Sequence, residues 1–225
     1  MSLTLNALPV STHAKGTLAK LLGADYSPQS DLGKLVKTSL GYLPYDLACE
    51  LLDAIKRSVV IESSLSLRVF RNFGLVRAGL LDPRELLVED HGLVSKKVVT
   101  TVGVGYIVDA FQNSTELENM KYHGLGTGTN AEASGDTTLQ TELTTEYTGN
   151  VRATGTTTEN AANIYETVAT NTLDSGTPAV TEHGVFSASS SGVLLDRSIF
   201  SAINLVGANG DAIQSTYRLT LTAGG

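Results

Sequence analysis

The sequence predicts a mainly β (α+β) protein. It divides into an antiparallel β-sandwich over residues 116–225, a helical or mixed anchoring segment over 41–115 and an extended N-terminal arm over 1–40, with one to three helices in all. Three observations predict this. The stretch after Met120 is built from Thr, Ser, Gly, Asn and short apolar alternations, and eight of the twenty residues from Thr141 to Asn160 are threonine. Threonine is β-branched and fits a pleated, half-exposed surface. Turn-forming clusters divide the same stretch at strand-like intervals. Finally, beyond Met120 the chain holds one lysine (Lys121), two histidines (His123 and His183) and no cysteine. Such a composition makes adhesive strands more readily than a catalytic pocket.

Residues 1–40 carry weak periodicity and many breakers: Pro9, Gly16, Gly23, Pro28 and Gly33. They read as an arm with short helical turns. Fully extended, about 40 residues reach on the order of 130 Å. Ordering them costs roughly 1–2 kcal/mol per residue in backbone entropy, so a neighbour is needed to hold them.

From Pro44, a residue suited to a first helical turn, Leu47, Leu51, Leu52, Ile55 and Val59 recur at helical spacing. The spacing predicts a helix over 44–58 with Leu47, Leu51 and Ile55 buried. Ser66–Arg71 alternates in part and predicts a strand. Asp82-Pro83-Arg84-Glu85 has a capping Asp, a first-position Pro and a Glu in the first turn, which predicts a helix start. Leu86–Val88 would add one or two turns, stopping near His91-Gly92. Ser95 is a second candidate cap. After it Val98, Val99, Val102, Tyr106, Ile107, Ala110 and Phe111 fall roughly on one helical stripe. Gly103 and Gly105 weaken a helix by about 1 kcal/mol each, so two strands also fit; helix is the preferred reading.

Six strands are predicted beyond this: Lys121–Gly126, Thr141–Thr148, Asn163–Thr172, Thr181–Ala188, Gly192–Ile203 and Ala212–Thr222. Turns at 126–130, 174–178, 189–192 and 207–211 separate them. No repeat of 20–50 residues is present, which argues against a solenoid or propeller.

With 225 residues, 41% of them hydrophobic and 17% charged, the chain can bury a core under a largely neutral-polar surface. A net charge of −7 and a pI near 5.1 argue against nucleic acid or an anionic membrane as partner. The basic pairs Lys56-Arg57 and Lys96-Lys97 read as solvated helix ends. Cys49 is the single cysteine, so an intramolecular disulfide is impossible and a reducing cytosol suits folding. Neither a signal peptide nor an apolar run of membrane-spanning length is expected. Asn113-Ser114-Thr115 matches a glycosylation sequon and reads as a loop.

Candidate chemistry is sparse. Gly124-Leu125-Gly126-Thr127-Gly128 matches neither nucleotide-binding glycine pattern, so a hairpin or bulge is expected. His123 and His183 each precede a glycine and are expected to face each other across neighbouring strands, satisfied by backbone hydrogen bonds. With Glu182 they form a conceivable metal site, because imidazole and carboxylate suit zinc or iron. Asp136, Glu142 and Glu146 are spread over a polar stretch, and no serine sits in a nucleophile motif. Cys49 reads as a core residue. No catalytic, cofactor-binding or metal residue is therefore assigned, and no enzyme activity is expected. Tyr147 and Tyr165 are the candidates for stacking against a sugar, with strand packing the plainer reading.

Three stretches carry a family resemblance: MKYHGLGTGTNAEASGDTTLQTEL (120–143), VTEHGVFSASSSGVLLDRSIFSAINL (180–205) and QSTYRLTLTAGG (214–225). In combination, His-Gly-x-Gly-Thr-Gly, Thr-Glu-His-Gly-x-Phe, Leu-Leu-Asp-Arg and the Leu-Thr-x-Gly-Gly terminus resemble tailed-bacteriophage virion proteins, over residues 95–225. The resemblance implies a structural part of the particle with no catalytic residues. A capsid cement or decoration subunit is the first expectation, binding the major capsid protein or other virion proteins and self-associating as a dimer or trimer. A tail, neck or baseplate adaptor is the alternative, motivated by the fibre-like Gly184-Val185-Phe186.

Overall fold

The computed structural model describes residues 60–96 and 98–223. The arm over 1–40, the helix over 44–58, Cys49 and Lys97 lie outside the described residues. Val60–Thr222 form a compact unit of their own.

The chain enters on β1 (Val60–Arg71), where Ser63, Leu65, Leu67 and Val69 are buried and Arg68 is exposed. Alternation of this kind places one face on a core. The strand expected at 66–71 is thus the second half of a longer one. After β1 come α1 (Phe73–Arg77), β2 (Leu87–Ser95), β3 (Val98–Val99), α2 (Thr101–Phe111), β4 (Tyr122–Gly126) and β5 (Ala153–Thr154). The remaining strands are β6 (Thr156–Ala161), β7 (Ile164–Thr172), β8 (Ala179–Phe186), β9 (Leu194–Asn204) and β10 (Ala212–Thr222).

Two five-stranded sheets result, in the orders β2-β1-β10-β7-β6 and β3-β9-β8-β4-β5. Every pairing is antiparallel. Their facing sides share a core. Leu65, Leu67, Val69 and Ile213 of the first sheet meet Leu125, Val180 and Ile203 of the second. Beside them, Tyr217 and Leu219 pack with Val185, Leu195, Met120 and Ile107 of α2. The mainly β, two-sheet architecture expected from the sequence is the one observed.

Several local expectations are corrected. Residues 86–88 are not helical. Asp82 does cap a turn, accepting from the Arg84 N–H at 2.8 Å, but the turn is a single 3₁₀ turn over Pro83–Glu85. The chain then runs into β2, which pairs with β1 from Leu87↔Arg71 to Ser95↔Leu65. Cross-strand ion pairs Arg68–Asp90 (3.1 Å) and Arg71–Glu89 (2.9 Å) add to the ladder. Pairing with a distant strand outweighs a weak local helix signal. Ser95 ends β2 instead of capping a helix. The cap is Thr100, whose Oγ1 accepts from the Gly103 N–H at 2.9 Å. Of the two readings of 98–111, the helical one holds from Thr101.

Residues 141–148 do not form a strand; their one ladder-type contact is an isolated bridge, Gly126↔Glu142. They belong to a long loop, 127–152: Leu143 joins the core between the sheets, with Tyr147 packed against it, while the preceding part of the loop crosses the outer side of the second sheet. Leu139 of this loop packs there with Phe186 and Leu194. Three of the loop's backbone N–H groups, those of Gly128, Gln140 and Thr141, go to one side chain, Glu182, while that of Leu143 goes to the Leu125 carbonyl of β4. Threonine-rich residues do form strands a little later, in β5 and β6, which the sequence reading missed.

Candidate functional site

β4 and β8 run side by side, with Leu125 opposite His183 and His123 opposite Val185. His123 and His183 therefore share the inward face, displaced diagonally. His123 Nδ1 lies 2.9 Å from His183 Nε2, and His123 Nε2 lies 3.1 Å from Thr167 Oγ1 on β7. Both imidazoles are fully buried. Asn171 Nδ2 donates to the His123 carbonyl at 3.0 Å. The two rings do face each other as expected, but their partners are side chains rather than backbone, and the buried His183 Nδ1 has no hydrogen-bond partner among the described residues. Burial pulls His123 down to about 3 and pulls His183 well below the ordinary histidine range, His183 being further disfavoured by His123. The pair is held neutral.

Glu182 does not join them. Strand alternation turns its side chain to the opposite face. There its Oε1 accepts from the N–H groups of Gly128 (3.0 Å) and Thr141 (2.7 Å), and its Oε2 from the Gln140 N–H (3.0 Å) and Arg197 Nε (2.9 Å). Arg197 also donates to Asp136 (3.0 Å) and to the Asn130 carbonyl (3.2 Å). This buried carboxylate is the hub that ties down the long loop. It also explains the glycines. A Cβ at Gly126 or Gly128 would stand 2.5 Å from Glu182 Oε1. The Gly-x-Gly-x-Gly run is a place of close approach, not the expected hairpin or bulge: Gly124 and Gly126 lie within β4 itself.

The three scattered carboxylates stay apart. Asp136 pairs with Arg197 and Glu142 with Arg152 (2.6 Å), while Glu146 accepts from the Thr145 N–H. Arg152 lies 3.3 Å from the centre of the Phe186 ring and donates to the carbonyls of Ala188 and Ser191, holding the serine turn in place. Among the described residues, no three His, Cys, Asp or Glu side chains are placed to hold a metal ion. Tyr165 donates to the Met120 carbonyl at 2.8 Å, and Tyr147 is packed against the core. The two candidate stacking tyrosines are thus committed to the interior.

Residues the sequence did not single out complete this interior. Asp196 on β9 is fully buried and accepts from Ser198 Oγ at 3.0 Å; burial pushes its carboxyl up to about 6, against hydrogen bonds with Ser63 and Ser198 that pull it down. The alternation in Leu-Leu-Asp-Arg was the available signal, since it places Asp196 and Arg197 on opposite faces of one strand.

The outward faces are of another kind. On α2, Val104, Val108 and Phe111 are exposed, and on the edge strand β2 Leu87, Val88 and Leu93 are exposed. Among the described residues no helix is long and apolar enough to cross a membrane. No protein-family model matches this chain, and no curated protein does. Among the described residues, the buried side chains of Glu182, Arg197 and Arg152 hold loops and strands together.

Proposed function

We propose that this chain is a structural protein of a tailed-bacteriophage particle, and within it a capsid cement or decoration subunit located in the virion. One observation carries the reading. Two of the resembling phrases, His-Gly-x-Gly-Thr-Gly and Thr-Glu-His-Gly-x-Phe, lie on paired strands, Gly124 opposite Gly184 and Gly126 opposite Glu182. The third phrase, Leu-Leu-Asp-Arg, starts β9, the next strand in the same sheet. Phrases far apart in sequence therefore describe one contiguous piece of the body, which is what a shared structural unit requires.

The outward faces support an adhesive role. The edge strands β2 and β6 of the first sheet are largely exposed along their length, and open edges are suited to strand addition by a neighbour. On the broad outer face of that sheet the charges are matched, Arg68 with Asp90 and Arg218 with Glu166. A matched, polar face is soluble before assembly and carries little repulsion within a lattice. The partners are the major capsid protein or other virion proteins.

The test is mass-spectrometric counting of the chain in purified particles. A lattice subunit is present on the order of hundreds of copies, as symmetric shells demand. A few copies per particle would replace the cement role with the neck or tail role. Absence from particles would overturn the whole reading.

A further inference from the structure

Between the two sheets, His183 Nδ1, Asp196 Oδ2, Ser215 Oγ and Tyr217 Oη have no hydrogen-bond partner among the described residues. All four side chains are fully buried. A buried polar group left unpaired destabilises a fold, so four of them together need an account.

Pairing and register bring the four to one level of the interior. Ser198 lies opposite His183 on the neighbouring strand, and its Oγ donates to Asp196 Oδ1 at 3.0 Å. Across the core, Thr167 of β7 reaches His123 of β4, and Ser63 of β1 stands close to Asp196 of β9. In the sheet orders β10 lies between β1 and β7, and β8 lies between β9 and β4. β10 therefore lies over β8. On β10, Tyr217 is the register partner of Thr167, and Ser215 follows on the same inward face. Tyr217 packs with Val185, two residues from His183, and stands close to both Ser63 and Asp196.

We propose that ordered water is bound at this level, bridging His183 Nδ1 to Asp196 Oδ2, with Ser215 and Tyr217 as its further partners. The site lies wholly within Val60–Thr222 and is independent of the virion reading. Apolar cavities stay dry, whereas a site offering a water two to four polar partners fills. The groups here match what water can give and take. A carboxylate only accepts, while a hydroxyl both donates and accepts. Water that donates to Asp196 Oδ2 and Ser215 Oγ keeps its lone pairs for Tyr217 O–H and for an N–H of His183.

The bridge also fixes where the histidine protons sit. With Nδ1–H of His183 donating to the water, its Nε2 is bare and accepts from His123 Nδ1–H, 2.9 Å between the nitrogens. His123 Nε2 then accepts from the Thr167 hydroxyl at 3.1 Å. Donors run in one direction, from Thr167 through both imidazoles and the water to Asp196. The carboxylate sets that direction, because hydrogen bonds in a chain polarise one another and the donors then point towards the negative charge.

The test uses the full chain at pH 8, where Asp196 is ionised. In ¹⁵N-labelled protein, two-bond nitrogen–proton couplings are expected to place the proton on Nδ1 in both His123 and His183. A proton on Nε2 of His183 would overturn the proposal. Magnetic relaxation dispersion of ¹⁷O reports long-lived internal water without interference from hydroxyl exchange. Ser215→Val fills the site with methyl groups and is expected to remove about one such water. Ser66→Val, on the outward face of β1, should remove none. An unchanged dispersion in a folded Ser215→Val chain would overturn the proposal as well. The coupling measurement needs no substitution, so it decides the matter even where Ser215→Val fails to fold.

Discussion

Glu182 and His183 are neighbours in the chain whose side chains end on opposite faces of one sheet. Glu182 gathers three backbone N–H groups and Arg197 beneath the long loop. His183 meets His123 at 2.9 Å between the two sheets. One strand thus braces both layers of the molecule, and each side chain gives a different expectation.

The histidine pair makes the fold acid-sensitive. Burial lowers His123 to about 3 from 6.5, so the unfolded chain takes up the proton first as pH falls. The stability this contributes is complete above the unfolded value near 6.5 and is lost progressively below it. At pH 5 the loss from His123 alone is about 2 kcal/mol. Urea melts between pH 7.5 and 5 should show it. His183→Gln should reduce the slope by about 1.4 kcal/mol per pH unit. An unchanged slope would contradict a pair held neutral.

Asp196 acts in the opposite direction. Its carboxyl rises from 3.8 to about 6, so the folded chain holds its proton more tightly and stability is lost as pH climbs through 6. Between pH 6 and 4 this partly offsets the histidine loss. Asp196→Asn should stabilise the protein at pH 8 by up to roughly 3 kcal/mol and give little or nothing at pH 4. Thermal melts at the two pH values decide it.

Removing the hub should free the loop. Glu182→Ala strands the Arg197 guanidinium and three N–H groups in a buried site, a loss of about 3–5 kcal/mol. Limited proteolysis should then cut within residues 127–152, while amides of β1 and β10 keep their hydrogen-exchange protection. Cleavage spread evenly over the chain would contradict a local role.

The two helix glycines should respond differently to alanine. At Gly103 the added methyl collides with the Leu195 backbone at 2.8 Å, prying α2 from β9 at a cost of about 1–3 kcal/mol. At Gly105 it meets open space, so folding should be unchanged or improved by up to about 1 kcal/mol. Denaturant midpoints of the two variants, measured at low protein concentration, provide the comparison.

Strands with an unambiguous period were legible. The strand expected at 212–222 coincides with β10, and 163–172 and 181–188 overlap β7 and β8 closely. The turns at 174–178, 189–192 and 207–211 fall where strands end, because Gly, Ser, Asn and Asp supply those backbone conformations locally. The facing of His123 and His183 was legible too, since both sit at like positions in similar phrases. What misled were segments whose partners are remote. Leu87–Ser95 has no clear alternation and becomes a strand through β1. Thr141–Thr148 has strong β propensity, yet its N–H groups go to scattered partners, that of Thr141 to Glu182, of Leu143 to Leu125 and of Thr148 to Asp174, so no continuous ladder forms.

By itself the sequence determined the class of this protein. Thr-rich alternation and regularly spaced turns demand a mainly β body, because side-chain period and turn chemistry are local properties. Only the tertiary structure decided what each polar group is for. Strand alternation and register separate Glu182 from the histidines, bury Asp196 close to Ser63 of the facing sheet and, among the described residues, leave the valines of α2 exposed. Those outcomes depend on which strand lies beside which, a choice made by packing across the whole chain and not by any single segment.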